Sequence, residues 1–162
     1  MTIKIKSARA LGEVIKNNAR EKGYFLNNVD TERVDFLIDG LFKNLDRYGY
    51  ISCPCRLSSG KYAGDEDLIC PCEYMEEDVK EFGACFCGLY VSKEVSEGKK
   101  EFVPVRERRS PKKTFAVISQ NGDKKIDAVV WRCPICGYRA AGEKVTEKCR
   151  KCGAAASVFE KM

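Results

Sequence analysis

The chain has 162 residues, enough for one ordinary domain or two small ones, and a third of them are Asp, Glu, Lys or Arg. No apolar run approaches the roughly 18 residues that cross a membrane, and the N-terminus MTIKIKSARALGEV lacks the apolar stretch of an export signal, so a cytoplasmic location is expected. With ten cysteines and a formal charge of +5, the chain points to metal or redox chemistry in a reducing compartment and away from a disulfide-stapled secreted scaffold.

Residues 7–22, SARALGEVIKNNAREK, suit a first helix, with Ser7 as its N-cap and Gly23 just past its end. A second helix is expected from about Glu32 to Tyr48. Val34, Leu37, Ile38, Leu41, Leu45 and Tyr48 share one stripe, Asp30 or Thr31 precedes it and Gly49 follows. Then come Cys53-Pro54-Cys55, Cys70-Pro71-Cys72, a short helix in EYMEEDVKEFG closed by Gly83, and Cys85-Phe86-Cys87. Each pair falls at a helix end, which suits a small helical shell around a cluster. Residues 97–113, with two prolines and a run of Lys and Arg, read as a basic linker or an irregular extension. Beyond them TFAVISQNGDKKIDAVVWRC holds two β-rich runs around Asn-Gly-Asp and predicts a hairpin leading into the last four cysteines.

Charge divides near the same place, with a net of −2 over residues 1–100 (15 basic, 17 acidic) and +7 over 101–162 (14 basic, 7 acidic). The expected organisation is therefore a mainly α module over 1–96, the linker over 97–113 and a small β-rich module over 114–162.

Cys133-Pro-Ile-Cys136-Gly and Cys149-Arg-Lys-Cys152-Gly are two knuckles separated by 12 residues, the spacing of a tetrahedral four-cysteine metal site. Gly137 and Gly153 permit positive φ, which turns backbone N–H groups toward the sulfurs. Spacing alone fits a structural zinc ribbon. The flanks WRCPICGY and SVFE, with Trp131, Tyr138 and Phe159 as an apolar wall, resemble the rubredoxin-like domain found at the end of rubrerythrins. That resemblance implies one iron cycling between its ferrous and ferric states, hence an electron relay; a site of this kind also takes zinc.

The first six cysteines offer more than a cluster needs. Two cysteines at i and i+2 of an extended segment send both sulfurs to one side, yet such a pair makes a poor disulfide, its Cα atoms lying about 6.6 Å apart. A [4Fe-4S] cluster takes four thiolates. The remaining pair is then either a disulfide beside the cluster or two buried spectators in a simple electron carrier. Once metal-bound cysteines are counted as thiolates, the formal charge falls to about +2. A zinc-ribbon nucleic-acid binder would also need basic or aromatic side chains on one face, whereas Trp131 and Tyr138 flank the knuckles.

The ordered triple Cys-x-Cys array resembles the catalytic subunit of ferredoxin:thioredoxin reductase over roughly residues 10–92. AREKGYFLN before the second helix, DGLFKNLDRYG before the first pair and CPCEYMEEDVKEFGACFCGLYV extend the match. The resemblance implies that Cys53, Cys70, Cys72 and Cys85 bind a [4Fe-4S] cluster and that Cys55 and Cys87 form a redox-active disulfide. It further implies that ferredoxin supplies single electrons, that the Cys55 thiol attacks the disulfide of a thioredoxin-like protein, and that Cys87 resolves the mixed disulfide.

Two departures stand out. Phe86 occupies a place where this family usually has histidine, and the chain has no histidine, which leaves the proton donor open. The gaps between pairs, 14 and 12 residues, also differ from those of the plant enzymes. Arg56 either lowers the Cys55 thiol or is an exposed charge after a turn. The acidic run DEDLICPCEYMEED is either a solvated face or a partner-selecting surface, with the basic linker and tail docking an acidic ferredoxin. The expectation is a ferredoxin-dependent disulfide reductase with a rubredoxin-like relay, the alternative an iron–sulfur electron-transfer protein without disulfide chemistry. Neither reading involves nucleic acid or a membrane.

Overall fold

A computed structural model describes residues 5–110, 129–145 and 147–162. Its N-terminal part rests on two packed helices. Helix α1 (Ala8–Lys22) begins at Ser7, whose Oγ accepts the Ala10 N–H at 3.2 Å. Helix α2 (Thr31–Tyr48) begins at Asp30, whose Oδ1 accepts the Arg33 N–H at 3.0 Å. Leu11, Ile15 and Ala19 of α1 and Val34, Leu37, Ile38 and Leu41 of α2 share one buried core. Truncating a residue such as Leu41 to Ala would cost about 2–5 kcal/mol, lost transfer energy plus the cavity left behind.

Glycine in the middle of a helix costs about 1 kcal/mol relative to Ala, yet α2 carries Gly40. A Cβ there would lie 2.9 Å from the Cβ of Pro54. The missing side chain lets the first Cys-x-Cys pair lie directly against the helix.

Short elements complete this part: α3 (Tyr62–Asp65), a 3-10 turn (Glu66–Leu68), α4 (Met75–Phe82) and α5 (Lys93–Ser96). The two-residue strands β1 (Phe25–Leu26) and β2 (Tyr90–Val91) pair antiparallel, Phe25 opposite Val91. Helix α4 is the short helix expected before Gly83. Helix α3 and the β1–β2 ribbon were not anticipated, because elements of two to four residues leave no periodicity to read.

The C-terminal part is a three-stranded antiparallel sheet in the order β4–β3–β5, from β3 (Val130–Arg132), β4 (Arg139–Ala141) and β5 (Glu160–Lys161). Most of the expected hairpin lies outside the described residues; the end of its second run lies in β3. The fold is thus a mainly α N-terminal part joined to a small β-rich one. A single apolar core runs through both, with Cys133, Ile135, Cys136 and Phe159 packed into the same cluster as Leu11 and Leu41. Residues 98–110 follow α5 without regular structure, and the Val103 N–H donates to the Phe82 carbonyl at 3.1 Å. Among the described residues no helix is long and apolar enough to cross a membrane.

Candidate cluster pocket and four-cysteine centre

Backbone pairing joins the first two Cys-x-Cys segments and folds the third onto β2. The Cys53 N–H donates to the Leu68 carbonyl at 2.8 Å, the Cys70 N–H to Ile51 at 2.9 Å and the Cys85 N–H to Tyr90 at 2.8 Å. Cys53, Cys70, Cys72, Cys85 and Cys87 consequently line one cavity, walled by Leu37, Pro54, Met75, Leu89 and Tyr90. Cys55 follows Pro54 of that lining, and the sulfurs of Cys53 and Cys87 are the groups that act most strongly on its thiol. The sulfurs of Cys53 and Cys87 are 2.8 Å apart. Of these six, Cys55 is exposed, Cys72 half-buried and the rest buried.

The donor set suits a cationic group. Burial pushes the Cys70 thiol well up, with the sulfurs of Cys53 and Cys72 adding to the shift, and pushes Cys72 up to about 12. Several thiolates in such a pocket are therefore held together only by a cation that binds them. Soft sulfur ligands select iron–sulfur clusters, zinc or cuprous copper. Cys55 differs: hydrogen bonds to the Cys53 and Cys87 sulfurs hold its thiol well below the usual range, and Arg33 adds a favourable charge. Arg33 Nε also donates to the Cys87 carbonyl at 2.9 Å.

Arg56 is neither of the two things expected from the sequence. Its side chain is 2% exposed, and Nη1 lies 3.4 Å from the sulfur of Cys72, so its charge is directed at a different cysteine from Cys55. The guanidinium stacks over the rings of Tyr74, at 5.1 Å, and Phe86, at 4.4 Å. Its Nε donates to both oxygens of Glu107, at 2.9 and 3.1 Å. Arg109 donates to Asp67 at 3.0 and 3.1 Å and to the Gly64 carbonyl at 2.7 Å, while Arg108 reaches Asp78 at 2.5 Å and also pairs with Glu81. The acidic run and the basic segment thus face each other inside the molecule. Asp65, fully buried, accepts from Tyr50 Oη, the Ser59 N–H and the Gly60 N–H at 2.8 to 3.0 Å and fastens the loop after Cys55.

The other four cysteines form a second centre. The sulfur atoms of Cys133, Cys136, Cys149 and Cys152 all lie within 4.8 Å of one another, with two pairs at 3.6 Å. Four sulfurs bound at about 2.3 Å around one tetrahedral ion would have edges of this length. Hydrogen bonds among them hold Cys133 and Cys149 low and Cys136 and Cys152 high. The Tyr138 N–H approaches the Cys136 sulfur at 3.5 Å, as expected of a knuckle with Gly137 at φ 80°.

Both knuckles press on the N-terminal part. A Cβ on Gly137 would fall 2.2 Å from the Cβ of Tyr50, and one on Gly153 would fall 2.8 Å from Asn18 Oδ1. The Arg139 N–H donates to Tyr62 Oη at 3.1 Å, and Lys22 Nζ donates to the carbonyl of Lys151 at 3.1 Å. Sequence reasoning brought together the ten cysteines but missed Arg33, Asp65, Glu107, Arg108 and Arg109. The one available signal was the opposite charge of DEDLICPCEYMEED and RERR.

Comparison with known families divides the chain in the same way. The model for the ferredoxin thioredoxin reductase catalytic beta chain matches residues 3–114, and that for the rubrerythrin rubredoxin-like domain matches residues 131–160. A search of curated proteins returned no match.

Proposed function

The chain belongs to the ferredoxin thioredoxin reductase catalytic beta chain family, and from that premise we propose that this iron–sulfur redox protein reduces protein disulfides with electrons from a ferredoxin-type donor. The observation that carries the reading is the placement of Cys55. It is the exposed cysteine of the six, next in the chain to Pro54 in the lining of a pocket that the other five share. A thiolate on the surface attacks disulfides; a thiol sealed in a core does not.

In this reading Cys53, Cys70, Cys72 and Cys85 hold a [4Fe-4S] cluster, and Cys133, Cys136, Cys149 and Cys152 hold one iron, or zinc. A cluster of this kind supplies electrons singly beside a disulfide that needs two. The Cys55 thiolate attacks a disulfide of a thioredoxin-like protein, forming a mixed disulfide and releasing one substrate thiolate. The Cys87 thiolate then attacks the Cys55 sulfur, releases the second substrate thiol and leaves a Cys55–Cys87 disulfide. Two electrons and two protons restore the dithiol. Arg33 stabilises the thiolate at Cys55, and the apolar walls keep water from the other sulfurs. The C-terminal centre serves as the point where electrons enter or as a relay, a role favoured by its packing against Tyr50.

The test is iron, zinc and acid-labile sulfide per chain on protein purified without oxygen, followed by thioredoxin reduction by the parent and by Cys55→Ser. Loss of reduction in the variant, with iron and sulfide unchanged, is the expected result. A Cys55→Ser protein that reduces thioredoxin at the parent rate would leave only an electron carrier. Absence of sulfide in well-folded parent protein would remove the cluster.

A further inference from the structure

Arg56 is a buried cation whose surroundings do not fully neutralise it. Glu107 meets it from the outside, with a side chain that is 43% exposed. Asp78 lies on its inner side, but the carboxylate oxygen facing Arg56 is 3.8 Å from Nη2, while the other is taken by Arg108 at 2.5 Å. Neither Arg56 Nη2 nor that oxygen of Asp78 has a hydrogen-bond partner. Two ring faces and the sulfur of Cys72, at 3.4 Å, also lie against it. A guanidinium cannot lose its proton in a protein, so this charge is permanent. Its side chain is 2% exposed, so the charge is held away from water.

A positive charge and a donated hydrogen bond at a ligand sulfur withdraw electron density from whatever that sulfur binds, and this favours the reduced form. We propose that Arg56 sets the reduction potential of the group bound at Cys72, raising it, and that Glu107 holds that rise back. The inference rests on the cluster assignment made above. Arg56 acts through Cys72 and is a positioning residue. Glu107 belongs to the same 98–110 segment that supplies Arg108 and Arg109, so one segment both pairs with the acidic run and sets the charge beside Arg56.

The two residues make opposite predictions, which a purely structural ion pair does not. In Arg56→Gln the midpoint potential of the cluster shifts to more negative values. In Glu107→Gln, which keeps an acceptor oxygen for Arg56 Nε and for the Arg109 N–H at 2.9 Å, it shifts to more positive values. That second shift is the smaller, because Glu107 is partly in water. Arg56→Lys, which keeps the charge without the planar fork, falls between parent and Arg56→Gln.

The measurement is a potentiometric titration of the full-length protein at fixed pH and salt, followed by the electron paramagnetic resonance of the reduced cluster. Iron and sulfide per chain are determined for every variant. Opposite shifts with unchanged iron and sulfide bear the proposal out. Shifts of the same sign, or none, overturn it and leave the cluster assignment standing. If Arg56→Gln does not fold, Arg56→Lys and Glu107→Gln carry the same comparison. Parent protein without sulfide overturns the assignment and this inference together.

Discussion

The backbone N–H of Ile51 donates to the carbonyl of Cys136 at 3.3 Å, while the carbonyl of Ile51 accepts from the Cys70 N–H at 2.9 Å. One residue therefore joins a cysteine of the four-sulfur centre to a cysteine of the six-cysteine pocket. The join exists because the Gly137 knuckle sits directly on residues 49–51.

Substitution at Gly137 should break it. An alanine Cβ would lie 2.2 Å from the Tyr50 Cβ and 2.7 Å from the Gly49 carbonyl oxygen. Backbone strain at φ 80° adds about 1–2 kcal/mol. Gly137→Ala should detach the C-terminal part, seen as a larger radius of gyration in small-angle scattering. Gly23→Ala is the control, with similar strain at φ 73° but nothing within 4 Å of the new atom. A Gly137→Ala protein as compact as the control would contradict the docking described here.

Cys55 should react first with an alkylating reagent. It is the exposed thiol among the ten, Cys72 being half-buried and the other eight buried. Brief iodoacetamide treatment of reduced native protein should place the first adduct on Cys55, located by peptide mass mapping. Rapid labelling of Cys87 ahead of Cys55 would show that the pocket opens more than its burial indicates.

Arg109 should matter for stability and not for the electron donor. Its side chain is 7% exposed and bonds to Asp67, itself 10% exposed. Removing one partner of so enclosed a pair costs about 3 kcal/mol. Arg109→Gln should lower the unfolding free energy by that order and leave the KM for the proposed ferredoxin-type donor near the parent value. A raised KM at unchanged stability would return this arginine to the partner-binding role suggested by the basic run.

Metal removal should unfold one part of the molecule. The core of the C-terminal part consists largely of Cys133, Cys136, Cys149 and Cys152 with Ile135, Val158 and Phe159. Without a cation, four crowded sulfurs have little to hold them together. A chelator strong enough to strip this centre should make residues 129–162 sensitive to protease. The far-UV helical signal should persist, since every α-helix among the described residues lies before residue 97. Full protease resistance after stripping would make the metal dispensable for folding.

What the sequence revealed depended on the range of the interaction. Ser7, Asp30, Gly23 and Gly49 act within one turn of their helices, and the stripe from Val34 to Leu41 repeats at helical spacing, so both helices were legible. The knuckle and Cys-x-Cys spacings were legible because metal ligation constrains neighbours in the chain. The pairing of Arg109 with Asp67 spans 42 residues, and that of Arg56 with Glu107 spans 51. Charge runs have no period that reports such a partner, so the acidic stretch reads as either a solvated face or a partner-selecting surface, and its pairing through Asp67 and Asp78 with Arg109 and Arg108 is not legible. Arg56 itself follows a Cys-Pro-Cys turn, where an exposed charge is the ordinary outcome, and its burial depends on the ring faces of Tyr74 and Phe86 and on the Glu107 carboxylate.

The position of Cys55 also bears on survival in the presence of oxidants. A thiol open to protein disulfides is open to peroxide as well, and its first product is a sulfenic acid. In the pairing proposed above, the Cys87 thiol displaces hydroxide from that sulfenic acid and forms a disulfide with release of water. The product is the same Cys55–Cys87 bond proposed for normal turnover. Limiting peroxide should therefore leave chains lighter by two hydrogens and reducible by dithiothreitol, whereas Cys87→Ser should accumulate sulfinic and sulfonic acid on Cys55. In this arrangement, the residue most exposed to damage is also the one most readily repaired.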